Sequence, residues 1–394
     1  MAPWDAPARV SESVALLDGG REAFPRMLRA IREARQTVRL EVYHFARDGV
    51  GEEFLAALSA AARRGVRVLV VLDGWGTALD GRFLEALLER DGCRVRIYNP
   101  LTALLAGRLR RNHRKLLLVD GEVLFLGGIN IADEYGSPGP EGPADEERRR
   151  DWLDLAVEVR GAAAGWLERR LRGSRERPPP GKVHVWLSGL GGARPLRRRY
   201  LKAFGAARRE ILAAHSYFLP DRRFVRSITA AARRGVRVTL LLAGESDVPL
   251  ARLAARRLYR QLLRAGVEIR EWTRSVHHAK VSVVDGGRLI LGSFNLDPLS
   301  LANLESLLEV DDPSAAAAAR LWIEERLRDS RKVELGSLER RSRLASWALD
   351  AIGLWVARSA QWVGRLLALR TRAPRRGPQG LRKARAEPHG LRSK

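Results

Sequence analysis

The stretch Ala60-Ala-Ala-Arg-Arg-Gly-Val-Arg-Val68 occurs a second time, without a change, as Ala230-Ala-Ala-Arg-Arg-Gly-Val-Arg-Val238. Each copy ends an alanine-rich helical pattern, turns at a glycine suited to a helix C-terminus, and begins a run of β-branched and aliphatic residues. The runs that follow, Val68–Leu72 and Val238–Leu242, have the continuous apolar character of buried parallel strands. The repeated stretch therefore predicts one helix–turn–strand unit in each half of the chain.

Other segments repeat in the same order on both sides of this stretch. The matched pairs are Ala34–Val38 with Ala207–Ile211, Tyr43–Phe45 with Ser216–Phe218, and Gly92–Ile97 with Gly266–Arg270. Both halves read as strand, helix, strand, helix, strand, which favours mixed sheets covered by helices. We therefore predict an α/β fold made of two duplicated α-β-α domains.

Changes in composition predict the domain boundaries. Residues 1–175 are expected to form the first domain, 176–181 a proline-rich linker, 182–330 the second domain, and 331–394 a basic C-terminal region. A further proline-rich segment, Ser137–Asp145, is expected to be an exposed loop within the first domain.

Composition also narrows the classes of protein and partner. The single cysteine, Cys93, excludes a disulfide within the chain and a cysteine-based metal cluster. The formal charge of +25 predicts attraction to a polyanion, either nucleic acid or an anionic membrane surface. No uncharged apolar run is long enough to span a bilayer and no targeting segment is evident, so we expect a cytosolic or peripheral membrane protein.

Polar residues recur at matched positions in the two halves. Each set consists of a histidine, a lysine two residues later, an aspartate, and a glycine turn that leads to an asparagine. The first set is His113, Lys115, Asp120, Gly128 and Asn130, and the second, at identical intervals, is His278, Lys280, Asp285, Ser293 and Asn295. Because the chain holds only seven histidines and seven lysines, composition alone does not explain two matched pairs. Side chains two residues apart on a strand share a face, so each half offers an imidazole beside an ammonium.

Two such sets brought together would form a cationic pocket suited to a phosphodiester. One neutral imidazole would attack phosphorus while the other, protonated, delivers a proton to the leaving alkoxide. A phosphohistidine would follow, and the second imidazole would then deprotonate the acceptor hydroxyl. Lysine and asparagine already supply the charge stabilisation, so we expect no metal and no other cofactor.

The two sets resemble the HxKxxxxD motifs of the phospholipase D superfamily, and both match without substitution. The resemblance extends over roughly residues 10–330 and is strongest to bacterial cardiolipin synthases, especially the type B enzymes without transmembrane helices. The segments that carry it include Leu69–Trp75, Gly127–Asn130 and Gly292–Ser300. It implies two domains whose sheets face each other across one active site, and transfer of a phosphatidyl group through a covalent histidine, typically between two phosphatidylglycerol molecules.

The resemblance also implies roles for the residues of the two sets. It assigns His113 as nucleophile and His278 as general acid and base, although the symmetry of the site permits the reverse. The other catalytic residues that it implies are Lys115, Asp120, Lys280 and Asp285. Residues expected to bind the substrate are Gly128, Asn130, Ser293 and Asn295. Asp120 and Asp285 end their strands before a glycine turn, which leaves a structural role open for both.

Two acidic residues are candidates to orient the imidazoles. The segments Asp154–Val159 and Glu305–Val310 align without a gap, and each follows the motif of its own half. We expect Asp154 to accept the Nδ1–H of His113, and Glu305 that of His278, which fixes the tautomer that exposes Nε2. The alternative is that both acids lie on the surface. Downstream of the second motif the family order is kept by Asn295, Asp297, Ser300, Asn303 and Glu305, but the interval from Ser300 to Asn303 is one residue short.

The C-terminal region has the pattern of a membrane-surface helix. Residues 340–394 hold fourteen lysines and arginines against two acids, and apolar residues that include three tryptophans recur at helical spacing between Leu344 and Leu369. The basic tail would add attraction to anionic lipid. The alternative is a helix packed on the second domain. The apolar and arginine-rich loop Pro100–Arg111 is a further candidate for admitting lipid to the pocket.

Two functions from different classes follow from these patterns. The first is a phosphatidyltransferase that makes cardiolipin from phosphatidylglycerol at the cytoplasmic face of the cell membrane, with glycerol as leaving group and no obligate protein partner. The second is a phosphodiesterase or nuclease of the same superfamily that acts on nucleic acid. The positive net charge is compatible with both functions, whereas the predicted helix with three tryptophans and the segments around the second motif favour a lipid substrate.

Overall fold

The computed structural model describes residues 12–78, 80–104, 110–136, 151–189 and 192–339. The predicted loop Ser137–Asp145 and the predicted C-terminal helix and basic tail lie outside these residues, as does part of the loop Pro100–Arg111. Among the helices of the described residues, none is both long and apolar enough to cross a bilayer.

The first domain is a mixed sheet with helices. Its described strands are β1 (Ser13–Asp18), β2 (Thr37–Val42), β3 (Arg67–Asp73), β4 (Arg94–Tyr98), β5 (Leu116–Val119), β6 (Val123–Gly127) and β7 (Leu155–Arg160). Its described helices are α1 (Gly19–Glu33), α2 (Gly49–Arg63), α3 (Gly81–Arg90) and α4 (Ala162–Leu171), with short 3-10 turns at Leu101–Leu104 and Asp133–Tyr135. The strand order is β1-β7-β6-β5-β2-β3-β4, in which β2, β3 and β4 are parallel to one another.

The second domain repeats this arrangement. Its described strands are β8 (Val183–Leu187), β9 (Glu210–His215), β10 (Arg237–Ala243), β11 (Glu268–Trp272), β12 (Lys280–Val284), β13 (Arg288–Gly292), β14 (Ser306–Val310) and β15 (Arg331–Lys332). The helices are α5 (Arg194–Ala206), α6 (Arg222–Arg233), α7 (Pro249–Arg264), α8 (Pro313–Arg328) and α9 (Leu335–Glu339). The order β15-β11-β10-β9-β12-β13-β14-β8 matches that of the first sheet, with β15 added at one edge. The predicted duplication of an α/β unit is confirmed.

The repeated nine-residue stretch forms the same helix–turn–strand unit in both domains. Helix α2 ends at Arg63 and α6 at Arg233, and strands β3 and β10 begin four residues later. The glycines between them, Gly65 and Gly235, have φ angles of +89° and +88°. This is the left-handed region that glycine enters without a steric penalty, so the turn depends on the glycine of the repeat.

The two sheets pack against each other through a shared apolar core. Alternate residues of the central strands point to opposite faces, so one set packs on the helices of its own domain and the other faces the second sheet. Residues of this shared core include Leu116, Leu118 and Leu126 of the first domain and Val281, Val283 and Leu308 of the second. The predicted face-to-face arrangement is confirmed, and it brings the starts of β5 and β12 to one side of the molecule.

The two motif aspartates lie away from that side, and their contacts support the structural role that the sequence leaves open for both. Asp120 is five residues beyond Lys115 along β5, a distance of roughly 16 Å at the rise of a strand. Its carboxylate accepts three backbone N–H groups of residues 35–37, at 2.7 to 2.8 Å. Asp285 accepts those of residues 208–210 in the same way, and both aspartates have a φ of 52°. They fasten the end of one strand to the start of its neighbour.

Asp120→Ala should therefore lower the free energy of unfolding by about 2 kcal/mol, since three charge-assisted hydrogen bonds are lost. Denaturant unfolding measures this change, and the matched variant Glu122→Ala, at an exposed acid of the same turn, should change little. Turnover per folded molecule should stay within about twofold of the wild type. Unchanged stability with a large loss of turnover would instead support a catalytic role for Asp120.

Candidate active site

The two motif histidines are each tied by main chain to the opposite domain. The backbone N–H of His113 donates to the carbonyl of Leu304 at 2.9 Å, and that of His278 donates to the carbonyl of Leu153 at 2.8 Å. These hydrogen bonds continue short parallel bridges between the segments that lead into each motif and those that precede β14 and β7. Both imidazoles are thereby brought to one boundary between the domains.

Each imidazole is oriented by a carboxylate from the other domain. His113 Nδ1 lies 3.1 Å from Glu305 Oε2, and His278 Nδ1 lies 2.7 Å from Asp154 Oδ2. The two acids are the expected ones, but the expected pairing within each half is wrong. Asp154 and Glu305 directly follow the two leucines that bind the opposite histidine's backbone, so the pairing crosses between the domains. With Nδ1 engaged as a donor, each Nε2 is left with its lone pair.

Gly128 and Ser293 lie against the two carboxylates, and their expected role in binding the substrate stays a prediction. A Cβ at Gly128 would lie 2.3 Å from Asp154 Oδ1, so the glycine makes room for that carboxylate. Ser293 is fully buried, and its Oγ donates to Glu305 Oε2 at 2.5 Å. These two residues occupy matched positions in the two domains. Gly128 leaves space for the carboxylate of Asp154, whereas Ser293 donates a hydrogen bond to the carboxylate of Glu305.

The two lysines lie buried beside the imidazoles. Lys115 Nζ donates to the carbonyl oxygen of His113 at 3.0 Å, while Lys280 Nζ lies 3.1 Å from Nδ1 of His278. Burial, and then the charge of Lys280, lowers the pKa of Lys115 to about 7. Burial likewise lowers the pKa of Lys280. Two desolvated cations at one place create a demand for an anion, which a phosphodiester would meet.

Burial also shifts the pKa values of the two imidazoles and of the carboxyl group of Glu305. Desolvation, reinforced by the two lysines, lowers the pKa of His113 well below its ordinary value. Burial and Lys280 lower the pKa of His278 to about 4, and burial raises the pKa of Glu305 to about 8. Both imidazoles are therefore neutral at neutral pH. A bound anion favours the imidazolium, so the proton needed by a leaving group would be taken up together with the substrate.

The two asparagines lie in the site with their side-chain oxygens already engaged. Asn130 Oδ1 accepts the backbone N–H of His44 at 3.2 Å, and its Nδ2 donates to the hydroxyl of Tyr135 at 2.7 Å. Asn295 Oδ1 accepts from Ser216 Oγ at 3.0 Å. These contacts fix the amide planes, and direct binding of substrate by the amide N–H groups stays a prediction.

Aromatic rings that the sequence analysis did not assign surround the imidazoles. Tyr43 packs edge-on to His113 at a centroid distance of 5.0 Å. His278 is flanked by Trp152 at 5.7 Å, Tyr135 at 5.8 Å and Tyr217 at 6.1 Å. Tyr43 and Tyr217 could have been predicted as site residues from their positions, because each follows a strand at the edge of the sheet where the two motifs meet.

Further polar residues fix the segments that carry the site. Asp73 Oδ2 accepts the backbone N–H of Asn112 at 2.7 Å, next to His113, and burial raises the pKa of this aspartate. Asn303 Oδ1 accepts the N–H of Arg111 at 3.1 Å, and Ser300 Oγ accepts that of Asn295 at 3.2 Å. The short interval from Ser300 to Asn303 is thus compatible with both residues holding the site's backbone.

His277 is a buried residue beside the site. It directly precedes His278, and only 1% of it is exposed. Burial, and then Lys280, lowers the pKa of His277 to about 3, so its imidazole is neutral. This burial supports a structural role for His277.

Comparison with protein families gives a match in each domain. A family model described as "Cardiolipin synthase, PLD-like domain" matches residues 27–135 and 200–327. Cardiolipin synthase B of Escherichia coli (strain K12) is 37% identical over 322 residues, which cover 77% of this chain and 78% of that protein. Cardiolipin synthase 1 of Bacillus cereus (strain ATCC 14579) is 27% identical over 366 residues, covering 85% and 70% respectively.

Solved structures share the fold at low sequence identity. Phosphatidylserine synthase of Haemophilus influenzae Rd KW20 superposes with a TM-score of 0.67 and 14% identity, covering 90% of this chain and 95% of that one. Polyphosphate kinase of Porphyromonas gingivalis superposes with a TM-score of 0.56 and 17% identity, covering 91% and 55%. At these low sequence identities, the two superpositions show similarity of the fold alone.

The crossed pairing generates a prediction for the orienting acids. Asp154→Asn should lower phosphodiester turnover at least about tenfold, because an amide can donate to Nδ1 and select the wrong tautomer. Glu158→Gln, at an acid on the same strand that pairs with Arg26 and Arg160, is the matched control and should keep near-normal turnover. Nitrogen NMR of the imidazoles should report a change at His278 in Asp154→Asn and at His113 in Glu305→Gln. The reverse pattern would contradict the crossed pairing.

Proposed function

Because the chain belongs to the family of cardiolipin synthases with phospholipase D-like domains, we propose that it makes cardiolipin from two molecules of phosphatidylglycerol and releases glycerol. The observation that carries this proposal is the pair of complete half-sites, each with a buried lysine and an imidazole oriented by a carboxylate of the other domain. Such a site can both form and resolve a covalent phosphoryl intermediate, which a transferase requires.

The proposed reaction has two displacements at phosphorus. In the first, Nε2 of His113 attacks the phosphorus of phosphatidylglycerol, the bond to the glycerol oxygen breaks, and His278 gives that oxygen its proton. In the second, His278 takes the proton of a hydroxyl of the next phosphatidylglycerol, and that oxygen displaces the histidine nitrogen. Lys115 and Lys280 would hold the non-bridging oxygens throughout, so the second displacement restores the free enzyme.

Differences between the two carboxylates support this division of roles. Glu305 Oε2 is shared between Ser293 and His113, and burial raises the pKa of this carboxyl to about 8. Asp154 Oδ2 lies closer to its imidazole, at 2.7 Å. A carboxylate oxygen that is closer and not shared with another donor stabilises an imidazolium better, so His278 is better suited to carry the proton and His113 to remain the neutral nucleophile.

Lipid is the substrate class that these features favour over nucleic acid. The charge of +25 suits either polyanion, but both relatives described above are cardiolipin synthases. We further propose that the protein works as a peripheral protein on the cytoplasmic leaflet, where anionic lipids attract basic surfaces.

The proposal is tested with purified protein and phosphatidylglycerol vesicles, with lipids and glycerol followed by mass spectrometry. We expect equal amounts of cardiolipin and glycerol, and neither product from His113→Ala. His184→Ala, at a histidine of β8 outside the site, should keep wild-type turnover and serves as the matched control. Phosphatidic acid as the sole product would identify a hydrolase instead, and no lipid turnover would shift attention to single-stranded DNA.

The histidine roles are tested with a phosphatidyl ester of p-nitrophenol. This leaving group needs no protonation, so His278→Ala should release about one equivalent in a burst and then stall, because the intermediate lacks its general base. His113→Ala should show no burst. Peptide mapping under alkaline conditions should find the adduct on His113 in the stalled enzyme. An adduct on His278 would reverse the two roles.

A further inference from the structure

The large apolar side chains exposed on the described part of the chain are concentrated around the candidate active site. Trp75, Phe83, Val248 and Leu299 are between 43% and 51% exposed. A fifth such residue, Leu321, is 59% exposed and lies on helix α8. We use the name apolar rim for the first four.

In the first domain the apolar rim is linked by hydrogen bonds to the segment that carries His113, the proposed nucleophile. Trp75 follows β3, and its backbone N–H donates to Asp73 Oδ1 at 2.9 Å. The other carboxylate oxygen of Asp73 accepts the N–H of Asn112, the residue before His113. Phe83 lies in the first turn of α3, the helix that follows this turn.

In the second domain the apolar rim is joined to the other imidazole and its asparagine. Val248 follows β10, and the adjacent Asp247 accepts the hydroxyl of Tyr217, whose ring flanks His278. Leu299 precedes Ser300, which accepts the N–H of Asn295. Both domains therefore contribute apolar side chains to the side on which the site is built.

Arginines stand against the two aromatic members of the rim. The guanidinium carbon of Arg47 lies 3.9 Å from the ring centroid of Phe83, and that of Arg111 lies 4.7 Å from the ring of Trp75. Rings paired with cations suit the boundary between acyl chains and anionic headgroups, where the ring meets hydrocarbon and the guanidinium meets phosphate.

We propose that the apolar rim is the surface that rests on an anionic bilayer, with Trp75 and Phe83 inserted at headgroup depth and the site opening toward the lipid phosphates. The proposal rests on the function proposed above and adds the orientation in which that function is performed. A phosphodiester that carries two acyl chains is costly to lift out of the bilayer, since every methylene exposed to water adds to the penalty. A site at the interface avoids this penalty for both lipids.

A fluid lipid surface fits these residues better than a protein partner does. The four side chains come from separate segments of two domains, and the two aromatic ones pack against arginines. A protein interface instead requires a contiguous, well-packed apolar centre. An uneven set of anchors can insert into lipid without shape complementarity.

The test compares Trp75→Ala/Phe83→Ala with the matched control Leu321→Ala in the full chain. Sedimentation with vesicles of phosphatidylcholine and phosphatidylglycerol should show binding at least about fivefold weaker for the double variant and unchanged for the control. Turnover of short-chain phosphatidylglycerol below its micelle concentration should stay within about twofold of the wild type for both. Vesicle binding unchanged in the double variant would overturn the proposal, and so would loss of turnover on the soluble lipid, which would place the rings in the site itself.

A second measurement does not depend on loss of binding. Phe83→Cys and Leu321→Cys are labelled with an environment-sensitive fluorophore, since the native Cys93 is buried. Anionic vesicles should shift the emission of the label at position 83 toward the blue and leave that at position 321 unchanged. Equal shifts, or a shift at position 321 alone, would overturn the proposed orientation. Because these readouts report binding and depth, they remain decisive even if phosphatidylglycerol is not turned over.

Discussion

The structure depends on a pair of hydrogen bonds that neither domain can make alone. His113 is oriented by Glu305 and His278 by Asp154, so each half-site holds the carboxylate that the other half-site needs. A separated domain would lack one partner of each pair and would expose its share of the apolar core between the sheets to water, which is costly. The shared apolar core between the sheets therefore aligns the catalytic groups as well as stabilising the fold.

The same arrangement explains how so many ionisable groups are tolerated at one place. Two lysines, the imidazole of His278 and two carboxylates lie buried at the boundary beside the partly exposed imidazole of His113. Burial lowers the pKa of Lys115 to about 7 while it raises that of Glu305 to about 8. Each shift reduces the number of charged groups that the protein must bury. Main-chain hydrogen bonds from His113 and His278 to the opposite domain keep the groups in position. The site is thus organised before an anionic substrate arrives, and binding can return the protons that burial removed.

Much of the fold and of the site could be predicted because duplication leaves a record in the sequence. The stretch at Ala60 and Ala230 identified the helix–turn–strand unit, and the matched histidines and lysines identified the groups that meet at the candidate active site. The partner of each imidazole could not be predicted in this way. Alignment places Asp154 beside the motif of its own half, whereas the pairing is decided by how two sheets face each other, which spacing along one chain does not contain. The structural contacts of Asp120 and Asp285 could not be predicted for a related reason, since a shared motif does not say that a strand separates its first residues from its last.

The residues that contact the two carboxylates differ between the halves, and this difference indicates how two similar histidines could take different roles. Gly128 leaves space for the short side chain of Asp154, whereas Ser293 donates to the longer Glu305 and so competes with His113 for the same oxygen. A carboxylate whose oxygen is shared holds a proton on its imidazole less strongly than one whose oxygen serves the imidazole alone. We therefore infer that the small residue behind each carboxylate biases one histidine toward attack and the other toward proton transfer. Duplication supplied two equivalent sets of groups, and the residues behind the carboxylates make their hydrogen bonds unequal.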